Sequence, residues 1–412
     1  MIRFIHTADI HFGMENYGRI DQKTGIHSRL LDFDRAFNFC IDTAIEQEVD
    51  FFLFSGDAYK TANPSPTQQK LLFQALLRLH KAHIPIVIVI GNHDNPLSFG
   101  RANALSIFGQ LPLEGFYVIA KPTTIQLKTK NGEVAIVGIP WPTRNTIALS
   151  NKHMYKSTAE ITEYIAKAVA NIIAEQANAL DPTIPAVLAA HITVSSGVFS
   201  GSEKRAIYGN DPLFLPSQLA IKPFDYVALG HLHRHQNLNP NGYPALIYSG
   251  SIERVDFGEH KEDKGFCLVS IKEKGITSYE FIKTPTRPFI QIEVSLKSDE
   301  NQTDQVLNAI KKHHIKDAIV KILYHVPENK KNLVDIKIIQ NACVDALYIV
   351  GIIPIKAKPV REYRMGAIKV NMDLQTLLGA YFDTKPELKE KKDDLIQKTL
   401  LLAQEQQEQV ED

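Results

Sequence analysis

Residues 86–94 read IVIVIGNHD, from Ile86 to Asp94, and this stretch decides the fold. An unbroken β-branched run predicts a short strand buried on both faces, and the glycine after it lets the backbone turn away sharply. An asparagine, a histidine and an aspartate then stand at the strand end, where such side chains have little packing purpose. The same grammar recurs along the chain. Ile2–His6 leads to Asp9 and His11, Phe51–Ser55 to Gly56-Asp57, Ala186–Ala190 to His191, and Tyr226–Leu229 to Gly230-His231-Leu232-His233. In open α/β sheets, groups beyond the carboxyl ends of the strands share one crevice. Loops far apart in sequence are therefore expected to meet there.

The residue types at those ends define the chemistry. Imidazoles, carboxylates and an amide oxygen suit manganese, iron or zinc, whereas a thiolate-seeking ion would need cysteines. Two divalent ions roughly 3.5–4 Å apart need a bridging carboxylate and several terminal donors. Asp57 is the natural bridge. In Asp9-Ile10-His11 and His231-Leu232-His233, alternate residues of an extended segment point the same way, so both side chains reach one ion. A single Asp-x-His is common on ordinary surfaces; the ordered set of five is what carries the reading.

Around these strands, Phe33, Ala36, Phe37, Cys40, Ile41, Ala44 and Ile45 recur at helical spacing, as do Leu72, Ala75, Leu76 and Leu79, predicting helices that cover a sheet. Hairpins are expected at Asn131-Gly132 and Lys274-Gly275. The fold class is thus a layered α/β domain over residues 1–284. Thr284-Pro285-Thr286-Arg287-Pro288 is stiff and short of backbone donors, which places a boundary there. Residues 285–360 form a small α+β unit: strand Phe289–Val294, helix Gln302–Lys312, strand Ile319–Tyr324, helix Asn332–Ala346 and strand Tyr348–Ile355. In residues 361–412, a linker around Arg361–Gly366 precedes an amphipathic helix bearing Leu374, Leu377, Leu378, Tyr381 and Phe382, which Pro386 ends. Leu388, Leu395 and Leu402 then follow at heptad spacing. That last segment reads either as a helix docked on its own protein or as one that binds a partner.

The bulk composition excludes several classes. Across 412 residues the formal net charge is zero, so attraction to nucleic acid must come from a local patch. Cys40, Cys267 and Cys343 are too scattered for a disulfide framework or a thiolate zinc site. No apolar run approaches the ~20 residues of a membrane helix, and the start of the chain lacks a signal-peptide pattern, so the expected location is the cytoplasm.

The ordered ligand motifs resemble those of the calcineurin-like metallophosphoesterase superfamily, whose fold is a β-sandwich flanked by helices. The resemblance implies one ion held by Asp9, His11, Asp57 and His233 and another by Asp57, Asn92, His191 and His231, with manganese expected. It implies His93 as the residue that protonates the leaving oxygen; Asp94, its neighbour in sequence, is expected to orient it. Asn63-Pro64-Ser65-Pro66, the run Gly250–Glu259 and Pro285-Thr286-Arg287-Pro288-Phe289 resemble the SbcD family of break-repair nucleases. That narrower resemblance implies double-strand exonuclease and single-strand endonuclease activity on DNA. It also implies a small domain capping the site, C-terminal helices gripping a coiled-coil ATPase, and a homodimer within a heterotetramer. Where many phosphoprotein phosphatases carry aspartate then arginine, Lys60 and Thr61 stand, which argues against that activity. Arg19, Lys60 and Arg254 are the expected DNA contacts, with Lys23, Arg29, Arg101, Arg144, Arg205 and Arg234 as further basic residues near the motifs. A small-molecule phosphodiesterase and a non-catalytic DNA tether remain as alternatives.

Overall fold

The computed structural model describes residues 1–95, 102–110, 113–143, 157–201, 211–297, 301–328, 330–356, 374–383, 388 and 391–411. Two six-stranded sheets lie face to face. The first contains β1 (Ile2–Thr7), β2 (Phe51–Phe54), β3 (Ile86–Val89) and β4 (Phe116–Ile119), with β13 (Gly265–Glu273) and β14 (Ile276–Lys283), in the order β14-β13-β1-β2-β3-β4. The second contains β5 (Thr123–Thr129), β6 (Gly132–Ile139), β7 (Ala186–His191), β10 (Tyr226–Gly230), β11 (Gln236–Asn237) and β12 (Ala245–Tyr248), in the order β11-β12-β10-β7-β6-β5. Between the sequence ranges of those strands, β8 (Thr193–Val194) pairs with β9 (Leu213–Phe214) as a short ribbon.

The apolar runs are continuous because both faces of each central strand are covered. Phe4, Phe51, Leu53, Val87 and Val89 point between the sheets, where they meet Val187, Ala189, Tyr226, Ala228 and Ile247. Their neighbours Ile5, Phe52, Phe54, Ile86 and Ile88 point outward beneath α1 (Ser28–Glu46) and α2 (Pro66–Lys81). On the opposite side, Val137, Leu188, Ala190, Val227 and Leu229 pack under α3 (Thr158–Asn178). This is a helix-flanked sandwich. Asn63-Pro64-Ser65-Pro66 starts α2: Ser65 and Gln68 form a reciprocal capping box, with Pro66 in the first turn. The hairpins at Asn131-Gly132 and Lys274-Gly275 join β5 to β6 and β13 to β14.

A separate three-stranded parallel sheet follows, formed by β15 (Phe289–Ser295), β16 (Ile319–Val326) and β17 (Tyr348–Lys356). The helices Gln302–Ile310 and Ile336–Ala342 close over its own core of Ile292, Val306, Val320, Ile322 and Ile339. The second helix is shorter than the expected Asn332–Ala346. Asp335 caps it by accepting from Lys337 and Ile338 N–H groups, while the Asn332 amide donates to Tyr324 instead of continuing a helix. Helices Leu374–Asp383 and Lys392–Glu411 are joined by a Lys392–Asp383 ion pair of 2.6 Å. The expected linker at 361–366 and Pro386 lie outside the described residues. Among the described residues, no helix is long and apolar enough to cross a membrane.

Candidate metal centre

The parallel strands of both sheets deliver their carboxyl ends to one edge of the sandwich, and the loops there are tied together by backbone bonds. Asp9 N–H donates to Gly56 O at 2.9 Å and His11 N–H to Asp57 O at 3.1 Å. Asp9, His11, Asp57 and His231 all hold positive φ angles, between 51° and 108°, which non-glycine residues adopt only where surroundings compensate the strain. Two glycines are dictated by space. A Cβ on Gly91 would stand 2.1 Å from Asp57 Oδ1, and one on Gly230 would stand 2.1 Å from Ser55 O.

Asp94 supplies much of the compensation. Its buried carboxylate accepts from the N–H groups of Asp57, Ala58, Tyr59 and Gly91 at 2.9–3.3 Å. The expectation that Asp94 orients His93 is therefore corrected: the hydrogen bonds of its carboxylate go to the backbone of Asp57–Tyr59 and of Gly91. His93 is oriented by another group, because its Nδ1 lies 2.8 Å from the carbonyl of Lys60. Its own N–H donates to Asp57 Oδ1 at 2.9 Å, and the imidazole is exposed.

Two donor sets converge on Asp57. On one side, Asp9, His11 and His233 bring ligand atoms within 4.8 Å of one another; on the other, Asp57, His191 and His231 do the same. Asp57 Oδ2 stands 3.7 Å from His11 Nε2 and 3.4 Å from His191 Nε2. Asn92 Oδ1 completes the second set, at 2.9 Å from His191 Nε2 and 3.1 Å from His231 Nδ1.

The remaining ring nitrogens fix the tautomers. His191 Nδ1 faces Ser55 O at 2.7 Å, His231 Nε2 faces Asp211 Oδ2 at 3.3 Å, and His233 Nδ1 faces Glu259 Oε1 at 2.9 Å. Each of these nitrogens carries the proton, since an oxygen accepts from it. The other nitrogen of each ring is then the one that would turn a lone pair to a bound cation, and these nitrogens are crowded: His233 Nε2 lies 3.0 Å from His11 Nε2. A cluster of imidazoles, carboxylates and an amide oxygen this close together fits divalent cations, and imidazoles held by outer carboxylates and carbonyls are the usual support of metal ligands.

In the absence of a cation, protons offset part of this crowding. Burial pushes Asp9 up to about 7 and Asp94 up to about 6. Burial would also raise Asp57, but the imidazoles of His191, His93 and His11 outweigh it and hold that carboxylate ionised, well below its ordinary range. His191 is pulled the other way: burial opposes its charge, yet Asp57 and Asp9 lift it to about 9. Burial drives His11 well below its ordinary value.

The basic residues divide. Lys60 and Arg19 are exposed, and so are Lys23 and Arg234. Arg254 is not. Its guanidinium donates to Thr286 Oγ1 at 2.7 Å, Glu262 O at 2.9 Å and Arg287 O at 3.1 Å, so the expected DNA contact is corrected to an internal clasp. Arg29 is likewise buried, paired with Asp32 at 2.8 Å. Arg101, Arg144 and Arg205 lie outside the described residues. Sequence reasoning missed Glu259, Asp211 and Trp141, the last with its ring 4.8 Å from that of His231. Glu259 closes the run Gly250–Glu259, but neither it nor Asp211 has a local signal for the ring it meets.

A sandwich of this topology with two donor sets sharing an aspartate defines a metallophosphoesterase. Residues 2–235 match the family model of the calcineurin-like phosphoesterases, and the chain belongs to that family. It is similar to the SbcD subunit of the SbcCD nuclease from Staphylococcus saprophyticus, with 28% identity over 337 residues, which cover 81% of each chain. Among solved structures, it aligns with a dimetal phosphatase from Danio rerio at a TM-score of 0.42 and 11% identity, covering 69% of this chain and 99% of that one. It also aligns with TT1561 of Thermus thermophilus at a TM-score of 0.37 and 14% identity, covering 68% and 98%.

Proposed function

We propose that this chain is the nuclease subunit of a DNA-break processing complex. It hydrolyses phosphodiester bonds at DNA ends and hairpins, as a double-strand exonuclease and a single-strand endonuclease, in the cytoplasm. The observation that carries this reading is the position of Asp57: one carboxylate lies between two imidazole-bearing donor sets, with the exposed His93 beside it. The relative's name, that of a nuclease, supports DNA as the substrate.

Asp9, His11, Asp57 and His233 would hold one ion and Asp57, Asn92, His191 and His231 the other, with manganese as the favoured metal. A pair of such ions supplies positive charge to the scissile phosphate and makes a water acidic enough to attack near neutral pH. The chain's own residues set the geometry of that attack. His93 donates Nδ1–H to the Lys60 carbonyl, which leaves Nε2 for the departing oxygen: as the imidazolium, the ring gives that oxygen its Nε2 proton and is left neutral with the Nδ1 proton in place. Lys60 and Arg19 hold the phosphate backbone as exposed cations.

An SbcC-like coiled-coil ATPase is the partner, gripping the helices Leu374–Asp383 and Lys392–Glu411, on which Tyr381, Leu401 and Leu402 are exposed. The three-stranded sheet unit caps the site, and two copies of the chain sit in a heterotetramer that serves DNA repair, recombination and replication. The test is cleavage of duplex DNA ends compared with a simple nucleotide diester, each with Mn2+ and with chelator. Metal-dependent cleavage of the duplex is expected; hydrolysis of the diester alone would make this a small-molecule enzyme, and no hydrolysis of either a tether.

A further inference from the structure

His233 is held by more than one bond. Its Nδ1–H donates to Glu259 Oε1 at 2.9 Å, and the other oxygen of that carboxylate accepts from Val255 N–H at 2.8 Å and from Lys264 Nζ at 2.9 Å. Lys264 is fully buried, and its ammonium also donates to the His233 carbonyl at 2.9 Å and to Glu262 Oε2 at 3.0 Å. All three of its protons are thus used, and two of its partners are His233 itself and the residue that grips the His233 ring. Glu259 lies on a single helical turn, Phe257–Glu259. Phe257 of that turn packs on Phe289 and Ile319 of the three-stranded sheet, so the turn is anchored away from the metal loops.

A buried ion pair is expensive to maintain, and apolar residues of similar size often serve stability as well or better. This pair therefore asks for a reason beyond packing. We propose that Glu259, steadied by Lys264, is a positioning residue for His233: it fixes the tautomer that turns the Nε2 lone pair inward and raises the basicity of that nitrogen. The inference rests on the metal reading above, and deepens it by assigning the residues that tune one of the two ion sites.

The experiment is calorimetric titration of Mn2+ into the full chain, alongside the thermal midpoint of the metal-free protein. The double variant E259L/K264M removes both charges of the pair together, and with them the partners of Val255 N–H, the His233 carbonyl and Glu262. It is expected to lower the metal-free midpoint, because the Val255 N–H and the His233 carbonyl lose buried partners, and to lose about 10- to 100-fold in the affinity of one of two Mn2+ sites while the other is kept. In a His233→Ala background the same double substitution should cost nothing further, because its effect runs through that ring, while in a His191→Ala background the full loss should persist. Glu259→Gln keeps an acceptor without the charge, and is expected to lose several-fold at the same site. Unaltered Mn2+ affinity in Glu259→Gln, in itself, overturns the proposal even where the double variant does not fold. So does a loss that survives in the His233→Ala background. Normal uptake by wild type and variants alike overturns this inference alone, whereas a wild-type chain that takes up no Mn2+ overturns the metal reading and this inference with it.

Discussion

His11 Nε2 and His233 Nε2 face each other at 3.0 Å although 222 residues separate them in sequence. His233 donates its other nitrogen to Glu259, so its Nε2 carries a lone pair and needs a shared electrophile or proton between the rings. Divalent metal should therefore stabilise the fold. At a Mn2+ concentration a hundredfold above Kd, one site contributes about 2.7 kcal/mol. Thermal unfolding with Mn2+ and with EDTA should differ by several degrees in wild type, and the difference should shrink in His233→Ala. An EDTA-insensitive midpoint would count against the metal centre.

His93 hydrogen-bonds Asp57 through its main chain, while its ring, within 4.8 Å of the ligand atoms of Asp57 and His11, is directed by the Lys60 carbonyl. His93→Ala should accordingly retain Mn2+ binding while turnover on duplex DNA falls by about 10²- to 10⁴-fold, the range for loss of a proton-transfer group. Because the Lys60 bond is made by its carbonyl, Lys60→Ala should leave the chemical step nearly intact and act on DNA affinity. Equal turnover in wild type and His93→Ala would remove His93 from the reaction.

Asp94 predicts a different phenotype from His93. Its removal strands the buried N–H groups of Asp57, Ala58, Tyr59 and Gly91. Leaving several such donors unpaired costs about 3 kcal/mol or more. Asp94→Ala should lower the chemical-denaturation free energy by that amount and lose metal as well, with Asp94→Asn milder. A fully stable Asp94→Ala that loses only turnover would restore the role of orienting His93.

The strand-end residues were legible in sequence because each motif is local: an apolar run, a turn, then donors without a packing role. The sandwich was legible too, since a run such as Phe51–Phe54 is apolar at every position only when sheet and helix cover opposite faces. Relations between distant residues were not. Nothing near Glu259 in the chain announces His233, and Asp211 meets His231 only through the fold. Basic residues are ambiguous for the same reason, because Arg19 and Arg254 look alike until one is found exposed and the other clasped. The start of the helix Ile336–Ala342 was missed because Asp335, as its cap, competes with the apolar periodicity on either side.

Arg254 gives a test of that division. Its partners are the residues joining the sandwich to the three-stranded sheet, beside the Arg287 guanidinium that pairs with Asp32 through two contacts of 2.6 Å. Arg254→Ala should destabilise the chain by about 1–3 kcal/mol through part-buried acceptors left without their donor, while leaving the salt dependence of DNA binding unchanged. Arg19→Ala should do the reverse, keeping stability and lowering the slope of log affinity against log salt by about 0.9. Binding isotherms across a salt series, with unfolding curves for both variants, decide between them.

His6 makes the stability of the sandwich sensitive to acid independently of the metal loops. Its ring is enclosed, with Nδ1 at 3.1 Å from Tyr226 Oη and Nε2 at 3.2 Å from Leu229 O, and burial pushes its pKa down to about 3. The folded chain therefore keeps His6 neutral, while the unfolded chain protonates it near its ordinary value of 6.5. The contribution is fully present above pH 6.5 and is lost as pH falls from there towards 3, because the unfolded state then binds the extra proton. At pH 5 the loss is about 2 kcal/mol relative to pH 7. His6→Gln cannot titrate, so the difference in unfolding free energy between wild type and this variant should fall by about that amount between pH 7 and pH 5, measured by urea denaturation in chelator. A difference that stays constant over the interval would mean that His6 is protonated in the folded chain as readily as in the unfolded one.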